Sequence, residues 1–332
     1  MRLAGLVRSA AAAVLAIGLV AGGLGVVPPG RHDGDPTPAP RPLAGLLSPA
    51  MRAAFRLKAV DGVAYTPNAR NIAIRSIPDG PLLLFLPATG AVPRDYRQFL
   101  DAAAGVGYHV LALDYWNRGR SVARTCAQNA RCYSDLQANR FDGSHPTRFS
   151  AITAGDSILS RLRHALRTLG GRDPLGGWTR FVHGDRIRWN RVVLAGHSQG
   201  GGESAFIAHG HRVQGVLMFG SPVESDRGIT AAWMARPGIT PASRYYAFDS
   251  RHDMYADRIA GSWRALHLPG APAAVDSLVP EHLGHQLVTD RVLGDPHQSH
   301  SLFITDAAPR GAHDRPVFRA VWLAMLRAVR SP

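Results

Sequence analysis

A serine hydroxyl becomes a useful nucleophile only when a neighbouring base takes its proton, and that base is usually a histidine held in one tautomer by a carboxylate. Ser198 stands in a setting built for this, Gly196-His197-Ser198-Gln199-Gly200. The apolar run Val192-Val193-Leu194-Ala195 precedes it, and Gly201-Gly202-Glu203-Ser204-Ala205-Phe206 follows. The order predicts a buried strand, a sharp turn and a helix. Gly-x-Ser-x-Gly in that context is a nucleophile elbow, a strained turn that lifts the hydroxyl clear of the sheet. Glycines flank it because a Cβ there would collide where helix crosses strand. The N–H of Gln199, at the positive end of the helix, would face the oxygen of a developing tetrahedral intermediate.

The chain order expected after such an elbow is serine, acid, histidine. The acid belongs just past the second strand beyond the elbow, which places it in Phe248-Asp249-Ser250-Arg251-His252-Asp253. Asp253 is favoured over Asp249, because a carboxylate several residues beyond the strand lies in the loop and is free to reach the base. The C-terminal region offers His282, His285, His297, His300 and His313. His285 and His300 are the two leading candidates for the base, His285 as the one close behind a strand and His300 as the one nearer the final helix. The pairs His282/His285 and His297/His300 have His-x-x-His spacing, but no His-Glu-x-x-His accompanies them and a metal would not account for the elbow. A second oxyanion donor is expected from the loop after the strand Leu82–Leu86, where Pro87-Ala88-Thr89-Gly90 stands and the N–H of Thr89 is the candidate.

These residues need a scaffold, and the pattern supplies one. Asn71–Ile77, Leu82–Leu86 and Tyr108–Tyr115 read as strands, with a helix over Pro93–Ala104 between the last two. Strand, helix and strand in succession is the unit of a parallel sheet. Residues 117–146 read as a long irregular covering loop. Phe149–Leu169 carries Ile152, Ile158, Leu159, Leu162, Leu166 and Leu169 at helical spacing, and that stripe is core. Beyond the elbow, Val213–Phe219 and Arg244–Phe248 read as strands, Glu224–Ser243 as a variable segment, Arg258–Leu266 as a helix, Ala273–Val275 as a short strand, and Arg315–Val329 as a closing amphipathic helix.

The 332 residues suffice for one large α/β domain with a targeting segment, and a hydrophobic content of 45% supports a sizeable core. The formal charge is +14, and all but one of the 38 basic residues are arginine, Lys58 being the exception. The arginines are scattered, without a dense run or interleaved aromatics, which argues against a nucleic-acid partner and leaves a surface tolerant of anionic lipid head groups or cell-wall polymers. Arg2 and Arg8 precede the apolar stretch Ser9–Val27, so residues 1–27 read as a secretory signal or an uncleaved membrane anchor, and export is expected. Residues 28–50, rich in proline and glycine, read as a linker, and 51–332 as the folded domain. Cys126 and Cys132 lie six apart, and in an exported protein they predict one local disulfide.

Taken together, LLLFLPATG, YHVLALDY, CAQNARCY, AGHSQGGGESA, RYYAFDSRHD, LGHQLVTD and HSLFITD resemble the α/β-hydrolase superfamily over roughly residues 51–330, and within it a group of exported bacterial serine hydrolases. Ala88 departs from the pattern at a position where glycine is usual. The resemblance implies an α/β fold with a mostly parallel central sheet flanked by helices on both faces, a Ser-His-Asp triad, no cofactor, and small-molecule or lipid ester substrates. An acyltransferase on the same scaffold and a catalytically inactive binding protein are the alternatives, since fold does not fix chemistry.

Overall fold

The computed structural model describes residues 50–59, 62–77, 79–277 and 283–330. The expected targeting segment, all of the expected linker but Ala50, and His282 lie outside these residues.

Nine strands form one sheet among the described residues. In chain order they are β1 (Met51–Phe55), β2 (Asn71–Arg75), β3 (Leu82–Leu86), β4 (His109–Ala112), β7 (Val192–His197), β8 (Gly215–Phe219), β11 (Tyr245–Ser250), β12 (Ala273–Ala274) and β13 (Gln286–Thr289). Two small hairpins, β5 (Val182–His183) with β6 (Arg186–Ile187) and β9 (Ser225–Asp226) with β10 (Ile229–Thr230), lie apart from it. The spatial order is β1-β2-β4-β3-β7-β8-β11-β13-β12. Within this sheet only β1·β2 and β2·β4 pair antiparallel, and every later pairing is parallel. This is the α/β-hydrolase fold that the elbow and the strand–helix alternation predict.

Among the described residues eight α-helices accompany the sheet: α1 (Arg97–Gly105), α2 (Val122–Cys126), α3 (Ala130–Asp142), α4 (Ile158–Arg172), α5 (Gln199–Gly210), α6 (Ala256–Ala265), α7 (Pro296–Ser299) and α8 (Arg319–Ala328). The central strands are apolar on both sides because helices cover both. Side chains alternate between two cores, as the period of two requires. Leu82, Leu84 and Leu86 of β3, with Val192 and Leu194 of β7, face the core built with α3, α4, α5 and α6. Leu83 and Phe85, with Val193 and Ala195, face the core built with α1 and α8.

Three readings are corrected. Residues 117–146 are not irregular, since they hold α2 and α3. The pattern hides α3 because its inward face buries Gln137, Asn139 and Arg140 beside Tyr133 and Leu136. The helix expected from Phe149 begins only at Ile158, where Ser157 caps it by accepting from the N–H of Ser160. A strand not expected from the sequence, β13, follows His285 rather than preceding it.

The order of connections fixes where a site can form. From β3 the chain crosses through α1 to β4 on one side, then returns over β3 to β7 on the other. Ligands of open parallel sheets bind outside the carboxyl ends of the strands, at such a reversal. The loops after β3 and β7, which hold Thr89 and Ser198, both open there.

Candidate active site

Ser198 sits between β7 and α5 with φ 53° and ψ −117°, a region that side-chain-bearing residues rarely occupy. The surroundings over-determine that conformation. The Ser198 N–H donates to the Phe219 carbonyl at 2.8 Å, and its own carbonyl accepts from Gly201 and Gly202 at 3.1 and 3.0 Å. A Cβ at Gly200 would run into the Leu86 carbonyl, and one at Gly196 into the Gly200 carbonyl. Both flanking glycines are therefore required by close backbone approach.

Asp253 and His300 complete a hydrogen-bonded chain with this serine. His300 Nε2 lies 2.8 Å from Ser198 Oγ, and His300 Nδ1 lies 2.6 Å from Asp253 Oδ2. A carboxylate can only accept, so Nδ1 carries the ring proton and Nε2 is left to take the serine's. Asp253 occupies the turn after β11, its N–H donating to the Ser250 carbonyl at 3.0 Å. Its Oδ1 accepts from the Tyr255 N–H at 2.6 Å, which leaves Oδ2 for His300. Burial alone would raise the Asp253 pKa, but the hydrogen bond and charge of His300 carry it below the usual carboxylate range. Asp249, at the end of β11, is pushed well above that range, by burial first and then by the Asp253 charge. The two candidate acids are thus neighbours of opposite character, and Asp253 is the one that reaches the base.

His300 is set by α7, a single turn closed by a capping box: Asp295 Oδ1 accepts from the Gln298 N–H at 2.7 Å, and Gln298 Oε1 from the Asp295 N–H at 3.0 Å. His300 follows that turn directly. The Met254 N–H donates to the Pro296 carbonyl at 3.1 Å and ties the acid loop to it.

His285 is elsewhere. Its Nδ1 donates to the Tyr245 carbonyl at 2.9 Å, and its ring stacks on Tyr246 at 4.5 Å between centroids. Tyr245 begins β11, whereas the site lies beyond its end, so five residue steps of strand, about 16 Å, intervene. The choice of His285 fails because the strand follows it. In a parallel sheet, a residue just before a strand lies at the edge opposite to one just after. His297 and His313 are exposed side chains.

Both oxyanion candidates open onto the elbow. Gln199 is the first residue of α5, so its N–H has no intrahelical partner. Among the described residues the Thr89 N–H makes no hydrogen bond either, whereas its neighbours Ala88 and Gly90 donate to Tyr96 Oη at 3.2 Å and to the Asn117 carbonyl at 2.8 Å. Asn117 Nδ2 steadies the same loop through the Ala88 and Ala91 carbonyls, at 2.6 and 2.8 Å.

The two variable positions of the pentapeptide act as braces, which the sequence reading missed. Thr89 Oγ1 donates to Gln199 Oε1 at 2.9 Å. On the other side, His197 Nε2 donates to the His300 carbonyl at 2.7 Å, and Nδ1 accepts from Tyr96 Oη at 2.9 Å. One directed chain therefore runs from the Ala88 N–H through Tyr96 and His197 to the backbone of His300. The His197 pKa falls to about 3, through burial first and then the nearby His300, so its ring stays neutral beside the base. Nothing in the spacing of His197 distinguishes it. Its signal is only that a polar residue ends an otherwise apolar strand.

A second polar cluster lies on the far side of α5. Glu224 Oε2 accepts from Trp233 Nε1 at 2.7 Å, and Oε1 from Gln137. Arg140 Nη1 lies 3.7 Å from Glu203 Oε1. Burial raises Glu203 well above its ordinary value and Glu224 to about 7. Cys126 and Cys132 form a disulfide that joins the end of α2 to the start of α3. Ser121 Oγ, capping α2, lies 3.3 Å from Tyr255 Oη, so the disulfide-bearing segment touches the acid loop.

No family model matches the chain. A provisionally named non-heme haloperoxidase of Mycobacterium phage D29 is 27% identical over 149 residues, which are 44% of this chain and 38% of the phage protein. Among solved structures, an S-formylglutathione hydrolase from Agrobacterium tumefaciens aligns with a TM-score of 0.47 and 14% identity, covering 84% of this chain and 96% of that one. A carboxyl esterase 2 from Tuber melanosporum aligns at 0.45 and 11%, covering 85% and 88%. A dienelactone hydrolase from Anabaena variabilis aligns at 0.38 and 14%, covering 85% and 96%.

Proposed function

We propose that this chain, an α/β-hydrolase fold by its strand order and elbow, is a serine hydrolase that cleaves carboxylic esters through an acyl-enzyme. The observation that carries the reading is the pair of hydrogen bonds from Ser198 Oγ to His300 and from His300 to Asp253, at 2.8 and 2.6 Å. Ser198 attacks the ester carbonyl while His300 takes its proton. Asp253 holds the imidazole in the productive tautomer and stabilises the imidazolium. The N–H groups of Gln199 and Thr89 receive the oxyanion. His300 returns the proton to the departing alkoxide, and water, activated by the same histidine, releases the acid. The residues from Ser121 to Asp142, held near Tyr255, border the acyl side of the site.

The cellular setting is part of the same proposal. A disulfide persists in oxidising compartments, and a basic-then-apolar N-terminus fits export. Among the described residues no helix is long and apolar enough to cross a membrane.

The test is fluorophosphonate labelling of the full chain together with hydrolysis of p-nitrophenyl esters of increasing acyl length. Labelling and turnover in wild type, and neither in Ser198→Ala, are expected. A folded wild type that neither labels nor turns over would favour the inactive binding protein. Ester product in place of acid when an alcohol acceptor is supplied would favour the acyltransferase. Shortening 121–142 is expected to change acyl preference while small activated esters are still cleaved.

A further inference from the structure

We propose that the groove between β1 and the turn leading into α1 is a docking site for an anionic lipid surface. It is an open groove of about 510 Å³, and every charged residue lining it is an arginine: Arg52, Arg56, Arg70, Arg94 and Arg97. All five are exposed. Its floor is apolar, formed by small and aliphatic side chains that include Ala53, Ile72 and Val92.

A chain this rich in arginine presents basic residues widely, so the contrast with a second groove matters. The larger one along α6, about 1000 Å³, also carries four arginines, but Asp226, Asp253 and Asp257 stand among them, and Arg258 is 2.9 Å from Asp226. In the β1 groove the acids that pair with the arginines stand outside the lining. Asp101 holds Arg52, Asp95 lies 3.9 Å from Arg94, and Asp306 lies 3.4 Å from Arg97. Among the described residues no acid lines the groove itself.

Two further observations favour a lipid surface over a soluble polyanion. Clustered basic side chains around an apolar floor suit an interface that offers phosphates and, beneath them, hydrocarbon. The groove also runs on toward the catalytic machinery. Arg94 and Arg97 line an adjoining hollow of about 450 Å³ whose walls include Thr89, His197 and Ser301. A surface held at the arginines would lie alongside the oxyanion loop. The docking rests on the groove alone; its usefulness for lipid esters rests on the proposed activity.

The test is co-sedimentation of the full chain with vesicles of phosphatidylcholine alone or mixed with phosphatidylglycerol, at low and high salt. Two double variants accompany it: Arg56→Glu with Arg70→Glu in the groove, and Arg227→Glu with Arg264→Glu along α6. Neither pair touches the catalytic residues, and circular dichroism with thermal melting reports that each variant is folded. Wild type is expected to prefer the anionic vesicles and to lose that preference in high salt, because such attraction decays within a Debye length of about 10 Å. The groove variant is expected to bind them at least about tenfold more weakly, and the α6 variant within about twofold of wild type. Equal weakening in both variants would overturn the proposal in favour of net charge. Equal binding to neutral vesicles would assign the attachment to the N-terminal stretch. Binding of soluble polyphosphate without binding of vesicles would assign the groove to a polyanion. Intact vesicle binding by a chain that hydrolyses no ester would leave the docking standing and remove the proposed activity.

Discussion

His109 and His285, at one end of the parallel strands, are used in the opposite way to His300 at the other. At the amino end, His109 and His285 each give one ring nitrogen to a backbone carbonyl, of Gly176 at 2.6 Å and of Tyr245 at 2.9 Å, and both pack against aromatic rings. At the carboxyl end, His300 bonds through both nitrogens to side chains that can exchange protons, a hydroxyl and a carboxylate. Burial does not separate them, since His109 is fully buried and His300 is 8% exposed. What separates them is the chemistry of the partners. A carbonyl fixes a tautomer and stops there, whereas a hydroxyl on one side and a carboxylate on the other make the ring a relay.

The sharpest way to break this comparison is to remove one histidine from each end. His300→Ala is expected to lower kcat for ester hydrolysis by about four to six orders of magnitude, as loss of a triad base does elsewhere. His285→Ala should leave kcat within about twofold, at some loss of stability from the stacked ring. Comparable losses in both variants would mean that partner chemistry does not mark the working histidine. The next test exchanges the acids. Asp253→Asn is expected to cost about 10⁴ in kcat, because the amide no longer enforces the tautomer. Asp249→Asn should cost less than about tenfold, because Asp253 rather than Asp249 reaches the base, and burial with the Asp253 charge favours the neutral carboxyl that an amide resembles.

A smaller effect concerns stability. Burial, opposed by the Gly176 carbonyl, holds the His109 pKa at about 4, below the ordinary 6.5. Between these values the unfolded chain binds a proton that the folded one refuses. The His109 contribution is therefore complete above pH 6.5 and is lost as pH falls toward 4. In denaturant titrations across that window, His109→Gln should lose less stability on acidification than wild type, by on the order of 3 kcal/mol. A parallel decline in both would place the acid sensitivity elsewhere. The smallest expected effect is at the disulfide. Replacing both Cys126 and Cys132 by serine should cost about 2 kcal/mol, the scale for a short closed loop, while fluorophosphonate labelling proceeds at the wild-type rate.

Much of this molecule was legible before any coordinates. Apolar runs such as Leu82–Leu86 and Val192–Ala195 can only be buried strands, and a glycine-flanked serine behind one of them fixes the site at the carboxyl edge. Asp253 followed from the distance between a strand end and a loop that must reach inward. His300 was harder, because β13 is four residues long and its Gln286 looks polar, although that side chain donates to the Leu268 and Gly270 carbonyls. Once β13 is overlooked, His285 seems to follow a strand. The deciding signal was present in Asp295-Pro296-His297-Gln298, an N-cap, a proline at the first helical position and a glutamine at the third, which sets a turn directly ahead of His300. Helix α3 escaped for the converse reason. Of its inward polar residues, Gln137 and Arg140 meet Glu224 and Glu203 across the core and Asn139 binds the segment at Ser150 and Ile152, and a hydropathy pattern does not register partners supplied from elsewhere in the chain.

The braces at His197 and Gln199 bear on how freely this protein could diverge. Position 197 calls for a planar group with an acceptor on one side, for Tyr96 Oη, and a donor on the other, for the His300 carbonyl. Position 199 calls for an acceptor that meets Thr89 without disturbing the helix start. Descendants altered at either position would keep a perfectly placed serine and lose the registry of the loops around it. Tyr96, Thr89, His197 and Gln199 are therefore expected to be inherited as a set, and to change, where they change at all, together.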